Sequence, residues 1–119
     1  MEEMDLQINL KYLGEIPIIE LSGEVDAYTC SAFRDAMIEV IEQGHPNIVV
    51  SMANVEYIDS SGLGTLVGGL KRASEHNGKI AIVCSSHQIR KVFEITGLEK
   101  VFPVFDDESQ AAEALATAK

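Results

Sequence analysis

The apolar residues of this chain switch repeatedly between the two-residue period of β-strands and the period of three to four residues that is typical of helices. Strand patterns cover residues 6–12, 16–23, 47–53, 79–84 and 101–105, and helix patterns cover residues 29–44, 60–78, 85–97 and 106–118. The order β-β-α-β-α-β-α-β-α predicts one α/β domain over residues 1–119, with a mixed, mostly parallel sheet that opens with an antiparallel hairpin. The nearly continuous apolar run at residues 47–53 predicts a strand that is covered on both faces.

Polar residues and glycines mark the expected helix ends. Ser60 or Ser61 is the predicted N-cap of the second helix, and Ser85 with Gln88 forms a predicted capping box for the third. The last helix is expected to be capped by Asp106 or Asp107 and to pack chiefly through Ala112 and Leu115. The first three helices are predicted to stop at Gly44, Gly78 and Gly97.

The charge of the chain excludes several partner classes. Nine Lys and Arg residues against nineteen Asp and Glu residues give a formal net charge of −10, which repels nucleic-acid phosphates and anionic lipid heads. We therefore expect no nucleic-acid and no membrane partner, and the acidity either keeps the domain soluble or matches a basic face on a protein partner. Because the start "MEEMDLQINL" lacks the features of a secretory signal and no apolar run has membrane-spanning length, we expect a cytoplasmic protein.

The two cysteines, Cys30 and Cys84, lie far apart and have neither a CxxC pattern nor a histidine at metal-ligand spacing. This predicts reduced, buried or half-buried thiols, without a disulfide or a metal site.

The segment "YIDSSGLGTLVGGL", residues 57–70, places an acidic residue, two serines and a glycine directly before an apolar helical stripe. A dinucleotide site is disfavoured because eight residues, 54–61, separate the predicted strand from Gly62, whereas that motif begins at a strand end. We predict instead that Gly64 and Gly68, four residues apart, let the helix pack closely against the sheet or a neighbour. Glycine within a helix costs about 1 kcal/mol relative to alanine. If these two glycines do not pack closely, we expect another molecule to approach this surface.

Nucleophilic catalysis is disfavoured as well. Neither Ser60 nor Ser61 stands in a G-x-S-x-G frame, and the three histidines fall at predicted helix ends. Glu24, Asp26 and Asp59 could form a carboxylate cluster, but carboxylates near helix N-termini ordinarily serve as caps. We predict no catalytic residues, no cofactor and no enzymatic activity.

With nucleotide binding and catalysis disfavoured, phosphorylation is the remaining chemical role for the hydroxyl groups of Ser60 and Ser61. A phosphoryl group at a helix N-terminus is stabilised by unpaired backbone N–H groups and by the helix dipole. Its charge of about −1.5 to −2 would lie beside Asp59 and make the surface that a partner contacts more negative. On the residues alone, a simple capping role for Ser60 and Ser61 remains the alternative.

The motif "VEYIDSSGLGTLVGGLKRA", preceded by "IIELSGEVDAYTC" and followed by "KIAIVCSSHQIRKVFEITGLEKVFPVF", resembles the anti-sigma-factor antagonists, the bacterial members of the STAS domain family. The resemblance covers essentially the whole chain, and D-S-S-G-L-G is its most specific part. It implies a mixed sheet with four to five helices packed mainly on one face. It also implies a protein that binds an anti-sigma factor serine kinase and releases a sigma factor. We expect the unbound protein to be a monomer.

The resemblance assigns roles to five residues. Ser61, the second serine of D-S-S-G, is implied to be the phosphorylation site, and a PP2C-type phosphatase is implied to reset it. Asp59 and Ser60 are implied to shape the turn, Gly62 to allow close approach of the kinase, and Asp26 to contribute to the partner surface. The family also contains domains that are not phosphorylated or have other partners, including those of anion transporters. The alternative function is therefore a module without phosphorylation that binds a small ligand or nucleotide or serves a transporter.

Overall fold

The computed structural model describes residues 6–117. The strands are β1 (Leu6–Leu13), β2 (Ile16–Val25), β3 (Ile48–Ile58), β4 (Ile80–Val83) and β5 (Val104–Phe105). The helices are α1 (Cys30–Glu42), α2 (Ser60–Ser74), α3 (His87–Thr96) and α4 (Glu108–Thr117), with a 3-10 turn at Leu98–Lys100. The order predicted from the sequence is confirmed.

The strands form one five-stranded sheet in the order β1-β2-β3-β4-β5. The β1–β2 pair is antiparallel and the other three pairs are parallel, so the predicted hairpin and mostly parallel sheet are confirmed. Each parallel connection leads to the next strand in the same direction. Since such connections are right-handed, α1, α2 and α3 all lie on one face, and α4 lies on the other.

Two apolar clusters hold these layers together. The larger lies between the sheet and α1–α3 and includes Phe33, Met37, Leu66 and Phe93, all fully buried. The smaller lies under α4, where the predicted Ala112 and Leu115 are joined by Ala111. Val49 of β3 faces this smaller cluster and Val50 the larger one, which confirms that β3 is covered on both faces.

Strand β3 runs five residues further than residues 47–53 predict, to Ile58. Its pairing with β4 ends at Ser51, and beyond that point it pairs only with β2, across two register shifts. This half of β3 has no paired strand on the β4 side, and several of its residues are exposed and polar. An apolar run therefore does not mark it in the sequence. The predicted gap of eight residues before Gly62 is therefore wrong. A nucleotide site is still disfavoured, because parallel connections that all run one way leave no switch point in the sheet.

Two predicted helix caps are also wrong, each by a residue or two. Asp59, not Ser60 or Ser61, is the N-cap of α2, and Ser86, not Ser85, is that of α3. The predictions for Asp107 and Gly97 are confirmed. The Asp107 carboxylate accepts a hydrogen bond from the N–H of Gln110 at 2.8 Å, and Gly97 ends α3 with a φ of 78°.

Gly78 does not end α2 as predicted. The helix ends at Ser74, and Asn77 takes the left-handed conformation with a φ of 64°. A Cβ atom on Gly78 would overlap the backbone carbonyl of Pro46. This glycine is required by close packing of two turns.

The two cysteines are placed as predicted: Cys30 is half-buried, and the buried Cys84 directly follows β4. Neither is in a disulfide with another described residue.

Candidate functional site

Two neighbouring turns at one edge of the sheet carry all five residues predicted for the site. Val25 and Ile58 are paired at the carboxyl ends of β2 and β3. The backbone N–H of Asp59 donates to the carbonyl oxygen of Val25 at 3.1 Å. The turn that begins at Asp26 therefore lies beside the turn at residues 59–62, because parallel strands end at the same edge.

Asp59 fixes the start of α2. It has an extended backbone, with φ −109° and ψ −172°, and one of its carboxylate oxygens accepts a hydrogen bond from the N–H of Gly62 at 3.0 Å. This is the usual geometry of a helix N-cap. Ser60 and Ser61 are consequently the first two residues of the helix and do not cap it.

The hydroxyl groups of both serines have no hydrogen-bond partner among residues 6–117, so no histidine or carboxylate of that region is hydrogen-bonded to them. Ser60 is exposed and Ser61 is half-buried. The carbonyl oxygen of Ser61 accepts a hydrogen bond from the Thr65 hydroxyl at 2.9 Å. The Ser61 carbonyl is thus hydrogen-bonded within the helix, whereas its hydroxyl is unpaired among the described residues.

Gly62 packs the turn onto the two strand ends. A Cβ atom at this position would lie 2.7 Å from Val25 Cγ1, 2.8 Å from Ile58 Cγ1 and 2.9 Å from the Val25 carbonyl oxygen. The glycine therefore has an internal role that sequence reasoning did not identify. The close approach of a kinase at Gly62 stays a prediction.

Asp26 organises the second turn. Its carboxylate accepts hydrogen bonds from the N–H groups of Tyr28 at 2.9 Å and Thr29 at 3.1 Å. The Thr29 hydroxyl in turn accepts from the N–H of Asp26 at 3.0 Å and donates to the carbonyl oxygen of Glu24 at 2.9 Å. This tight turn carries Tyr28 with 93% of its surface exposed. Sequence reasoning missed Tyr28, although an aromatic residue within a turn is a signal for a contact surface.

A groove of about 380 Å³ between α1 and α2 begins at the two serines and continues along α2. Gly64 and Gly68 line it, both are exposed, and a Cβ atom on either would meet nothing within 4 Å. The prediction that these two glycines pack against the sheet or a neighbouring helix is therefore wrong. Gly69 takes that role instead, since a Cβ atom there would lie 2.5 Å from the Met37 sulfur.

Arginines line this groove on both helices, Arg34 on α1 and Arg72 on α2. Arg72 forms an ion pair with Glu42 at 3.2 Å, and Arg34 lies 3.7 Å from Asp35. Each guanidinium group is therefore balanced by a neighbouring carboxylate. The groove therefore combines two glycine positions without side chains and two arginine side chains along its length.

The rest of the described chain offers little for metal chemistry. Within residues 6–117, no three His, Cys, Asp or Glu side chains are grouped so that they could hold a metal ion. The helices of that same region are all too short or too polar to cross a bilayer.

The sequence model of the STAS domain matches residues 7–111. The chain belongs to the STAS domain family. It is 33% identical over 109 residues to an anti-sigma F factor antagonist of Paenibacillus polymyxa, with 91% of this chain and 93% of the relative covered. It is 34% identical over 101 residues to an anti-sigma-B factor antagonist of Staphylococcus epidermidis, with 85% and 94% covered.

Solved structures of this family share the fold. An anti-sigma factor antagonist from Mycobacterium paratuberculosis matches with a TM-score of 0.85 at 24% identity, with 94% of this chain and 95% of that chain covered. The antagonist SpoIIAA matches in its unphosphorylated form with a TM-score of 0.72 at 23% identity, covering 95% and 100%. Its phosphorylated form matches with a TM-score of 0.71 at 25% identity, covering 91% and 98%. The STAS chain therefore fits both forms of SpoIIAA about equally well.

Proposed function

We propose that this STAS domain is an anti-sigma factor antagonist. It binds an anti-sigma factor that is also a serine kinase, and thereby releases a sigma factor. Phosphorylation of Ser61 by that kinase ends the binding. The names of its relatives support this function, since both the P. polymyxa and the S. epidermidis proteins are anti-sigma factor antagonists.

The observation that carries the proposal is the division of roles at the start of α2. Asp59 caps the helix through the N–H of Gly62, so the Ser61 hydroxyl has no structural hydrogen bond to lose. A phosphoryl group on that oxygen would lie near the remaining N–H groups of the first turn and the positive end of the helix dipole. Modification at this position is thus compatible with the fold.

The partner surface extends from the two turns into the groove between α1 and α2. Asp26, Asp59, Ser60, Ser61 and Gly62 form the centre of this surface in our proposal. The exposed glycines of α2 each cost about 1 kcal/mol of helix stability relative to alanine. A partner element that approaches the helix backbone closely gives a physical reason for them.

The switch works by local repulsion and steric exclusion. A phosphate adds about −1.5 to −2 charges beside the Asp59 carboxylate, which changes the surface without any need for a new backbone conformation. The similar fit of this chain to unphosphorylated and phosphorylated SpoIIAA supports a switch that preserves the fold. Superimposable structures of the two states of this protein are expected, and a rearranged sheet in either would exclude the mechanism.

The remaining parts of the proposal follow from this function. The whole chain, residues 1–119, acts as one STAS domain in the cytoplasm and catalyses no reaction of its own. A PP2C-type phosphatase removes the phosphate from Ser61, and the unbound protein is a monomer.

The test is phosphorylation in vitro. The purified protein is incubated with ATP and each anti-sigma kinase of its host, and the product is analysed by intact-mass and peptide mass spectrometry. One phosphate on Ser61 is expected, with none in Ser61→Ala and normal modification in the matched control Ser74→Ala, which lies at the other end of α2. Ser61→Ala should keep the wild-type melting temperature, because its hydroxyl has no partner in the described structure.

Binding provides the second measurement. The unmodified protein should bind the kinase that modifies it, and Ser61→Asp should bind at least about tenfold more weakly, which corresponds to a loss of about 1.4 kcal/mol. Folded protein that no host kinase modifies would refute the switch and favour the transport-associated or ligand-binding alternative.

A further inference from the structure

On the face of the sheet opposite α1–α3, helix α4 leaves part of the sheet uncovered. An open pocket of about 470 Å³ lies there, between the β1–β2 hairpin and the start of α4. Its floor includes Ser51 of β3 and Val83 of β4, which are paired in the sheet. The pocket is separated from the Ser61 groove by the sheet itself, so it is a distinct candidate site.

Ser51 is the unusual residue of this pocket. Only 4% of its surface is exposed, and it is the one buried polar side chain among residues 6–117. Its hydroxyl has no hydrogen-bond partner within those residues. Buried polar groups are nearly always hydrogen-bonded, because an unpaired one costs free energy. The Ser51 hydroxyl, at the floor of an open pocket, is therefore available to pair with an atom of a bound molecule.

The surplus of carboxylates in the pocket determines the charge of the ligand that it favours. The carboxylates of Asp106, Asp107 and Glu108 line it, against the single ammonium group of Lys11. That ammonium group is already held between Glu108 at 2.8 Å and Glu20 at 3.0 Å. Asp106 pairs with Arg90 at 2.8 Å through one oxygen, and 78% of its side chain is exposed. The surplus of negative charge attracts a cation and repels phosphate or carboxylate ligands.

The pocket also has an apolar strip. Leu13 and Ala53 are exposed, and they line the pocket together with the buried Val83. These side chains can cover a few methylene groups, but they are too small in area for an aromatic or lipid-sized ligand. A ligand that matches both features is short, aliphatic and positively charged.

We propose that this pocket binds a small aliphatic amine. One ammonium group lies against the carboxylates of Asp106 and Asp107, the methylene chain lies on Leu13 and Ala53, and a second polar end hydrogen-bonds to the Ser51 hydroxyl. The inference is independent of the proposed antagonist function, because neither Ser61 nor its groove takes part.

The experiment is an NMR titration of the ¹⁵N-labelled full chain with cadaverine, a five-carbon diamine, at constant ionic strength. We expect saturable shifts of the amide signals of Ser51, Ala53 and Ser109, and none at Ser61 or Gly64. The uncharged control of equal length, 1,5-pentanediol, should produce no saturable shifts. Equal binding of the diol, or no saturable change with cadaverine, would overturn the proposal.

Two variants make the test specific. Ser51→Ala should weaken cadaverine binding about tenfold, as expected for the loss of one hydrogen bond to a charged donor. Asp106→Asn, which alters the exposed rim, should weaken binding as well. The matched control Ser74→Ala, at the exposed end of α2, should bind as the wild type does.

Ser51→Ala should fold with an unchanged or higher melting temperature, because no hydrogen bond to the described residues is removed. Wild-type affinity in folded Ser51→Ala would show that the hydroxyl pairs only with water, and the proposal would be wrong.

Discussion

Alanine substitutions in the groove of α2 should raise stability and weaken partner binding at the same time. The perturbation is Gly64→Ala or Gly68→Ala, alone and combined. Both glycines lie inside a helix of fifteen residues, where alanine is favoured over glycine by about 1 kcal/mol. Because a Cβ atom at either position meets nothing within 4 Å, no steric penalty offsets that gain.

The expected magnitude follows from these two facts. Each single variant should be about 1 kcal/mol more stable and melt about 4 °C higher, and the double variant about twice as much. Gly62→Ala is the matched control on the same helix. Its Cβ atom would lie 2.9 Å from the backbone oxygen of Val25, which cannot rotate away, so a loss of about 1–3 kcal/mol is expected.

Thermal melts followed by circular dichroism measure the stability, and calorimetric titration with the anti-sigma kinase measures the binding. If the partner approaches the α2 backbone, each added methyl group should reduce affinity by about tenfold, the equivalent of 1.4 kcal/mol. Destabilised Gly64→Ala and Gly68→Ala variants would show that the groove is not open. More stable variants with unchanged affinity would show that the partner does not use it.

Further predictions concern the cap, the thiols and one carboxylate. Asp59→Ala should lower the free energy of unfolding by about 1 kcal/mol and Asp59→Asn by much less, as measured by urea denaturation; equal losses would contradict the cap. Burial raises the pKa of the Cys84 thiol, so iodoacetamide should modify it more slowly than Cys30 in native protein, and faster modification would contradict its burial. A hydrogen-bond network that joins Glu108, the Asn9 amide and the Lys11 ammonium group lowers the pKa of Glu20 from 4.5 to about 2. The stability that Glu20 contributes is therefore present above pH 4.5 and is lost as the pH falls from 4.5 through about 2. Glu20→Gln should lack this pH dependence, and identical acid unfolding curves would refute it.

The spacing of apolar residues predicted the order of strands and helices, because the buried residues of each element recur at a fixed interval. It could not predict where β3 ends. Residues beyond Ser51 lie past the end of β4 and pair with β2 alone. Glu56 and Tyr57 are therefore exposed, and the register shifts disturb the simple alternation. Where β3 ends depends on its pairing with β2, which is distant in sequence, so the residues of β3 alone do not predict it.

The faces of α2 show the same limit. Leucine spacing identifies the helix, yet the most deeply buried positions include Gly62 and Gly69, while Val67 is 41% exposed. Gly64 and Gly62 differ in role although they stand two residues apart. A glycine has no side chain from which its environment can be inferred, so only the packing of α2 against the strand ends and against α1 separates packing glycines from groove glycines.

The position of the N-cap decides how the serine motif should be understood. If Ser60 or Ser61 capped α2, its hydroxyl would be bound to the helix, and modification would compete with the fold. The structure gives the capping bond to Asp59, one residue earlier, since β3 continues to Ile58 and turns there. The acidic residue of D-S-S-G is thus a structural group, and the second serine is left unpaired at the start of a rigid helix. A hydroxyl that capped α2 would have a structural role, whereas the unpaired Ser61 hydroxyl meets the requirement of the proposed phosphorylation.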